Sequence, residues 1–104
     1  MKIPTQISEW APELTAWRQD IHAHPETAFE EVRTAAFVAE QLKVFGCDVH
    51  EGLAHTGVVG TIHGQEPGPS LLLRADMDAL NMTEENAIPH RSTHEGKMHA
   101  CGHD

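Results

Sequence analysis

The stretch Ser70-Leu71-Leu72-Leu73-Arg74-Ala75-Asp76-Met77-Asp78 decides how the rest of the chain is read. Its first half is a short continuous apolar run, with the length and composition of a strand buried on both faces. Just before it, Gly64-Gln65-Glu66-Pro67-Gly68-Pro69 is dense in residues that break regular structure, so a turn or hairpin loop is expected there. Further back, Gly57 to His63 (Gly-Val-Val-Gly-Thr-Ile-His) alternates and is rich in β-branched residues. Cys47-Asp48-Val49-His50 alternates as well, and both segments predict strands.

Upstream of Gly46 the period lengthens. Val32, Ala35, Val38, Leu42 and Phe45 recur at helical spacing, and Gly46 is placed to close that helix as its C′ residue. Trp10, Leu14, Trp17 and Ile21 fall on one face of an earlier helix. Ser8 is its expected N-cap, Pro12 is tolerated in its first turns, and Pro25 should stop it near His24. Trp10 and Trp17 are read as core or interface residues, and Cys47 as a packing residue. Two helices followed by three strands predict an α/β domain, in which two N-terminal helices pack on part of a mixed β-sheet.

The length of 104 residues allows one domain at most. A formal charge of −9 with only seven scattered Lys and Arg gives no basic patch, which argues against a nucleic-acid partner. No apolar run approaches the ~20 residues of a membrane span. Met1 to Gln6 lacks the apolar core of a secretory leader, so a cytoplasmic location is expected. Two cysteines cannot form a dense disulfide framework and are expected as free thiols. Nine histidines are more notable, four of them within the last fifteen residues.

Two segments carry chemistry. Asp76 and Asp78 stand at the C-terminal end of the expected buried strand, where α/β sheets place ligands. In extended backbone they point to opposite faces, whereas a break at Ala75 would turn both into one crevice. Capping the next turn, or pairing with Arg74, is the plainer alternative, and spacing alone does not choose. The second segment is His99-Ala100-Cys101-Gly102-His103-Asp104. Thiolate and imidazole are preferred ligands of zinc and related metals, and Gly102 permits a tight bend between them. Asp104 is placed to accept a hydrogen bond from a ligating imidazole. One alternative is a buried thiol flanked by exposed histidines. Another is Cys101 as a nucleophile activated by His99 or His103, although no third member or oxyanion element accompanies it. Glu84-Glu85 is read as a solvated loop pair, and His90 and His94 as surface loop residues.

Taken together, Arg74-Ala-Asp-Met-Asp-Ala-Leu80 and Met98-His-Ala-Cys-Gly-His-Asp104 resemble the co-catalytic metallohydrolase family of aminoacylases and carboxypeptidases. The likeness is greatest to its hippurate hydrolase and auxin-conjugate amidohydrolase branch. Arg18-Gln-Asp-Ile-His22-Ala-His-Pro25-Glu26 and Phe29-Glu30-Glu31 are similar to that branch's opening helix and turn, so the resemblance runs from residue 10 to 104. It implies a catalytic domain on a mixed sheet, two divalent metal ions (zinc, manganese or nickel), and cleavage of the amide bond of small N-acyl amino acids. Cys101 and His103 match the branch's first two metal ligands. Asp78 matches the acidic catalytic-site residue that orients the site two positions after a ligand histidine in other branches. Asp76 falls at that histidine's position and is a further candidate ligand. The sequence departs from the branch at Asn81, where proline is usual, and at His90, where an aromatic residue is common.

The family's general base is one of two adjacent glutamates downstream of the Cys-Gly-His segment, so Glu84-Glu85, which lies upstream, does not take that part. Residues 1–104 are therefore expected to be the N-terminal portion of a truncated catalytic domain. The general base, the remaining ligands and any second domain would lie outside them. Such a piece should be inactive alone and should form homo-oligomers through exposed apolar surface and strand edges. The alternative is a small non-catalytic metal-binding or oligomerisation module, in which Cys101, His103 and His99 or Asp76 hold one metal.

Overall fold

A computed structural model describes residues 1–103. The chain forms α1 (Thr5–Glu9), α2 (Ala11–Ala23), α3 (Val32–Val44), β1 (Asp48–Leu53) and β2 (Gly57–Thr61). These fall into two compact units, one of residues 26–78 and one of residues 1–25 with the chain from 79 onward.

In the unit of residues 26–78, α3 packs against both strands of an antiparallel hairpin. Asp48 pairs with Thr61 and His50 with Val59, and the ladder slips between Glu51 and Leu53, where Gly52 takes a left-handed φ of 88°. The connection turns through Ala54 and Gly57. A Cβ at Gly57 would lie 2.5 Å from the Leu53 carbonyl oxygen, so the strand can restart there only without a side chain. α3 buries Thr34 and Ala39, each 1% exposed, while Ala35, Val38 and Leu42 are half-buried. The expected helix is present, but the ends of its apolar stripe, Val32 and Phe45, face solvent. At its C-terminus the Cys47 N–H bonds to the Leu42 carbonyl and the Gly46 N–H to that of Lys43. With Gly46 at φ 83°, this is the six-to-one and five-to-two closure expected of a glycine at C′.

The N-terminus of α3 is capped from a distance. Glu31 occupies the N-cap position without a side-chain capping bond. Instead Glu26 accepts the Arg33 and Thr34 N–H groups at 2.9 and 2.7 Å, and the Thr34 hydroxyl at 2.7 Å. Glu31 is buried and accepts from Thr56 Oγ1 at 2.6 Å, tying the helix start to the hairpin. Partial burial works to raise the pKa of Glu26, but the Thr34 and Arg33 bonds and the Arg33 charge outweigh it and hold it below 4.5. Glu26→Ala should therefore cost about 1–2 kcal/mol of stability at neutral pH, measured from urea midpoints. Because the folded value is the lower one, that contribution is complete above the ordinary carboxylate range. It is lost as pH falls through that range, and the difference between variant and parent should shrink accordingly.

The run at 70–75 corrects an expectation. It is not a strand, and Leu71, Leu72 and Leu73 are 84–85% exposed. A strand buried on both faces needs neighbours on each side and layers above and below. Among the described residues the sheet has two strands only, β1 and β2, and neither pairs with this run. The α/β class stands, but the third strand does not.

In the other unit, the expected single helix from Ser8 is two helices that meet at Trp10. Trp10 has φ −82° and ψ −7° and stands at the start of α2, with Pro12 in the first turn. Ser8 lies inside α1 and is not an N-cap. Trp10 and Leu14 are 48% and 43% exposed, so only Trp17 and Ile21 of that stripe turn inward. α2 ends at Ala23, just before Pro25, as expected. The carbonyls of Ala23, its last residue, and of Pro25, two residues beyond it, are met by the later segment. Thr93 donates its N–H and hydroxyl to the Ala23 oxygen at 2.9 and 2.7 Å, and His94 Nδ1–H donates to the Pro25 oxygen at 3.1 Å. Leu80 and Met98 form an isolated antiparallel bridge with bonds of 2.9 and 3.0 Å. No helix among the described residues is long and apolar enough to cross a membrane.

Candidate metal centre

Cys101 and His103 are both exposed and flank Gly102, whose φ is 83°. That left-handed value is open to glycine at no steric cost, so the bend between the two donors is written into the sequence. Asp104 lies outside the described residues. Asp76 and Asp78 belong to the other unit, where Asp76 is paired with Arg74 and Asp78 is half-buried. The plainer alternative for Asp76, pairing with Arg74, is thus what its surroundings show. Among the described residues no group of three or more His, Cys, Asp or Glu is arranged to hold a metal ion. An accessible thiol and an accessible imidazole, held apart by one left-handed residue, have the donor chemistry that zinc-like metals prefer.

Of the picture of a buried thiol between exposed histidines, only the exposed His103 holds. Cys101 is exposed, and His99 is buried at 7% exposure. Both cysteines are free thiols. His99 lies against the ring of His22, with centroids 6.3 Å apart, and His90 meets the same ring edge-on at 5.6 Å. His94 is an exposed loop residue as expected, bonded to the Pro25 carbonyl, whereas His90 is half-buried with its ring edge-on to that of His22.

Glu84 is the largest correction. Read as half of a solvated pair, it is instead 3% exposed, while Glu85 alone faces solvent. Its two carboxylate oxygens lie 2.8 and 3.1 Å from His22 Nε2, and one of them accepts the Ser92 N–H at 2.8 Å. An ionised carboxylate only accepts, so His22 Nε2 carries the proton and donates. Arg91 holds the Glu84 carbonyl at 3.0 Å. Burial pushes the Glu84 carboxyl up, but the Ser92 N–H, the His22 bond and charge, and the Asn86 side chain outweigh it and hold it below 4.5. No periodic signal marked this pair. Glu84 sits in a polar run, and His22 is one residue off the apolar stripe of α2.

Residues 72–104 match peptidase family M20/M25/M40, and the chain resembles the enzymes of that family. It is 44% identical over 103 residues to the N-acyl-L-amino acid amidohydrolase of Geobacillus stearothermophilus, covering 99% of this chain and 28% of that protein. It is 42% identical over 104 residues to the hippurate hydrolase of Campylobacter jejuni, covering 100% of this chain and 27% of that protein. The fold is that of part of the Bacillus subtilis YXEP protein, described as a dinuclear metal-binding peptidase of the M20 family. The TM-score is 0.85 at 37% identity, over 92% of this chain and 27% of that one. The chain thus spans a little over a quarter of the relatives it matches.

Proposed function

We propose that the polypeptide carrying this chain hydrolyses the amide bond of small N-acyl amino acids with two divalent metal ions, and that Cys101 and His103 are two of their ligands. The observation that carries this is the exposed Cys101-Gly102-His103 bend inside the segment matched to the peptidase family. When bound, such ions lower the pKa of water and polarise the scissile carbonyl. Cys101 must give up its proton to ligate and His103 must be neutral, so metal uptake should release protons and weaken in acid. Asp78 is assigned the orienting part. Asp76 is a ligand only if it leaves Arg74.

Glu84 is not the general base, because it is buried against His22 and Ser92. Two accessible donors do not complete a catalytic metal site, which needs at least three protein ligands and an open position. The 104 residues alone should therefore release no amino acid from N-acyl amino acids with zinc, manganese or nickel added. Turnover by the purified 104-residue chain would overturn this assignment of parts.

Leu71, Leu72, Leu73 and Ile62 expose 82–85% of their surface. The chain on its own should therefore self-associate. Sedimentation velocity should show dimers or larger species, and a single monomer at high concentration would contradict this. An exposed free thiol that serves as a ligand suits a reducing compartment, and a cytoplasmic location follows from the same reading.

A further inference from the structure

The bend that presents Cys101 and His103 has no helix or strand to fix it. What holds it is upstream. Met98 is pinned to Leu80 by two backbone hydrogen bonds, and His99, two residues before Cys101, is buried against the His22 ring. The His22 ring cannot turn freely, because Nε2–H is held between both oxygens of Glu84. Glu84 is in turn fixed by the Ser92 N–H and, through its carbonyl, by Arg91. A carboxylate that orients an imidazole is the arrangement by which metal sites are commonly supported from outside the ligand set. Here it acts one ring further out, through His99 and the backbone.

We propose that Glu84 and His22 are positioning residues for the metal-ligand segment, with the buried Glu84–His22 bond setting the placement of His99 and through it of Cys101 and His103. This rests on the reading of Cys101 and His103 as ligands. The bond is buried, with the His22 and Glu84 side chains 7% and 1% exposed, and it joins α2 to the segment leading into the bend. Its removal should loosen the bend without removing a ligand.

The test uses the intact polypeptide with cobalt(II) as the probe, measuring affinity by chelator competition, the thiolate-to-cobalt absorption, and the melting curve of the metal-free protein. Cys101→Ser serves as the control that binding passes through the thiolate. Glu84→Gln keeps an acceptor for Ser92 and should bind cobalt roughly 10–100-fold more weakly, with an altered thiolate band. His22→Gln, which keeps an N–H near the position of Nε2 but lacks the ring, should lose less affinity than His22→Leu. His22→Leu, which has no donor, should weaken with Glu84→Gln. If Glu84→Gln does not fold, the two His22 variants decide. Unmodified affinity and spectrum in Glu84→Gln and His22→Leu would overturn the positioning role while leaving the ligands in place. Failure of the unmodified protein to bind cobalt through Cys101 would overturn the ligand assignment, and this inference with it.

Discussion

Glu84→Ala should lower the unfolding midpoint by the equivalent of about 3 kcal/mol. The substitution leaves His22 Nε2–H and the Ser92 N–H buried without the acceptor they share, and breaking one side of a buried pair costs on the order of 3–5 kcal/mol. A chain of 104 residues has little stability to spare, so much of the population should be unfolded at 37 °C. The pH dependence has a definite sign. Glu84 titrates lower in the folded than in the unfolded chain, so as pH falls the unfolded chain takes up the proton first. The stabilisation is whole above the ordinary carboxylate range and is lost as pH falls through it toward the depressed folded value. Urea midpoints at neutral pH and near pH 3 would check both statements. A variant as stable as its parent at neutral pH would show that the pair contributes nothing net.

Cys101→Ser should weaken metal binding and N-acyl amino acid hydrolysis by the intact polypeptide by more than about 100-fold. Residues that merely support a ligand cost 10–100-fold, and a ligand must cost more. A serine hydroxyl is a far poorer donor to zinc-like metals than a thiolate. Cys47→Ser should have no such effect, because Cys47 lies beside the close of α3 in the other unit. Equal losses in the two variants would point to folding and not to ligation.

The regular elements were legible because their signals are local. The 3.6-residue spacing from Val32 to Phe45, the stop at Gly46 and the alternation around Val49 and Val58 need no distant partner to be read. α3 and β2 stand where these predict to within two residues, while β1 runs three residues past His50 to Leu53. The run at Leu71–Leu73 misled because burial of a strand is a property of its neighbours, which composition cannot supply. The α1–α2 break at Trp10 escaped because Ser8 and Pro12 are each compatible with a helix start. The Cys101-Gly102-His103 bend was readable, since donor type and a glycine between donors are both written in the sequence. Glu84 was not. Its burial depends on His22, sixty-two residues away along the chain, and on a backbone N–H that no sequence pattern announces. Glu26 escaped in the same way, because it caps α3 from outside the usual capping position.

The most direct measurement is the alkylation rate of each cysteine in the intact polypeptide, with and without added zinc, read by mass spectrometry. Cys101 is exposed and should react readily without metal, then become protected as zinc is added, while Cys47 keeps the same rate. An alkylation rate at Cys101 that zinc leaves unchanged would contradict its place as a metal ligand. Hydrolysis that persists without metal and is abolished by that alkylation would identify the thiol as a nucleophile instead.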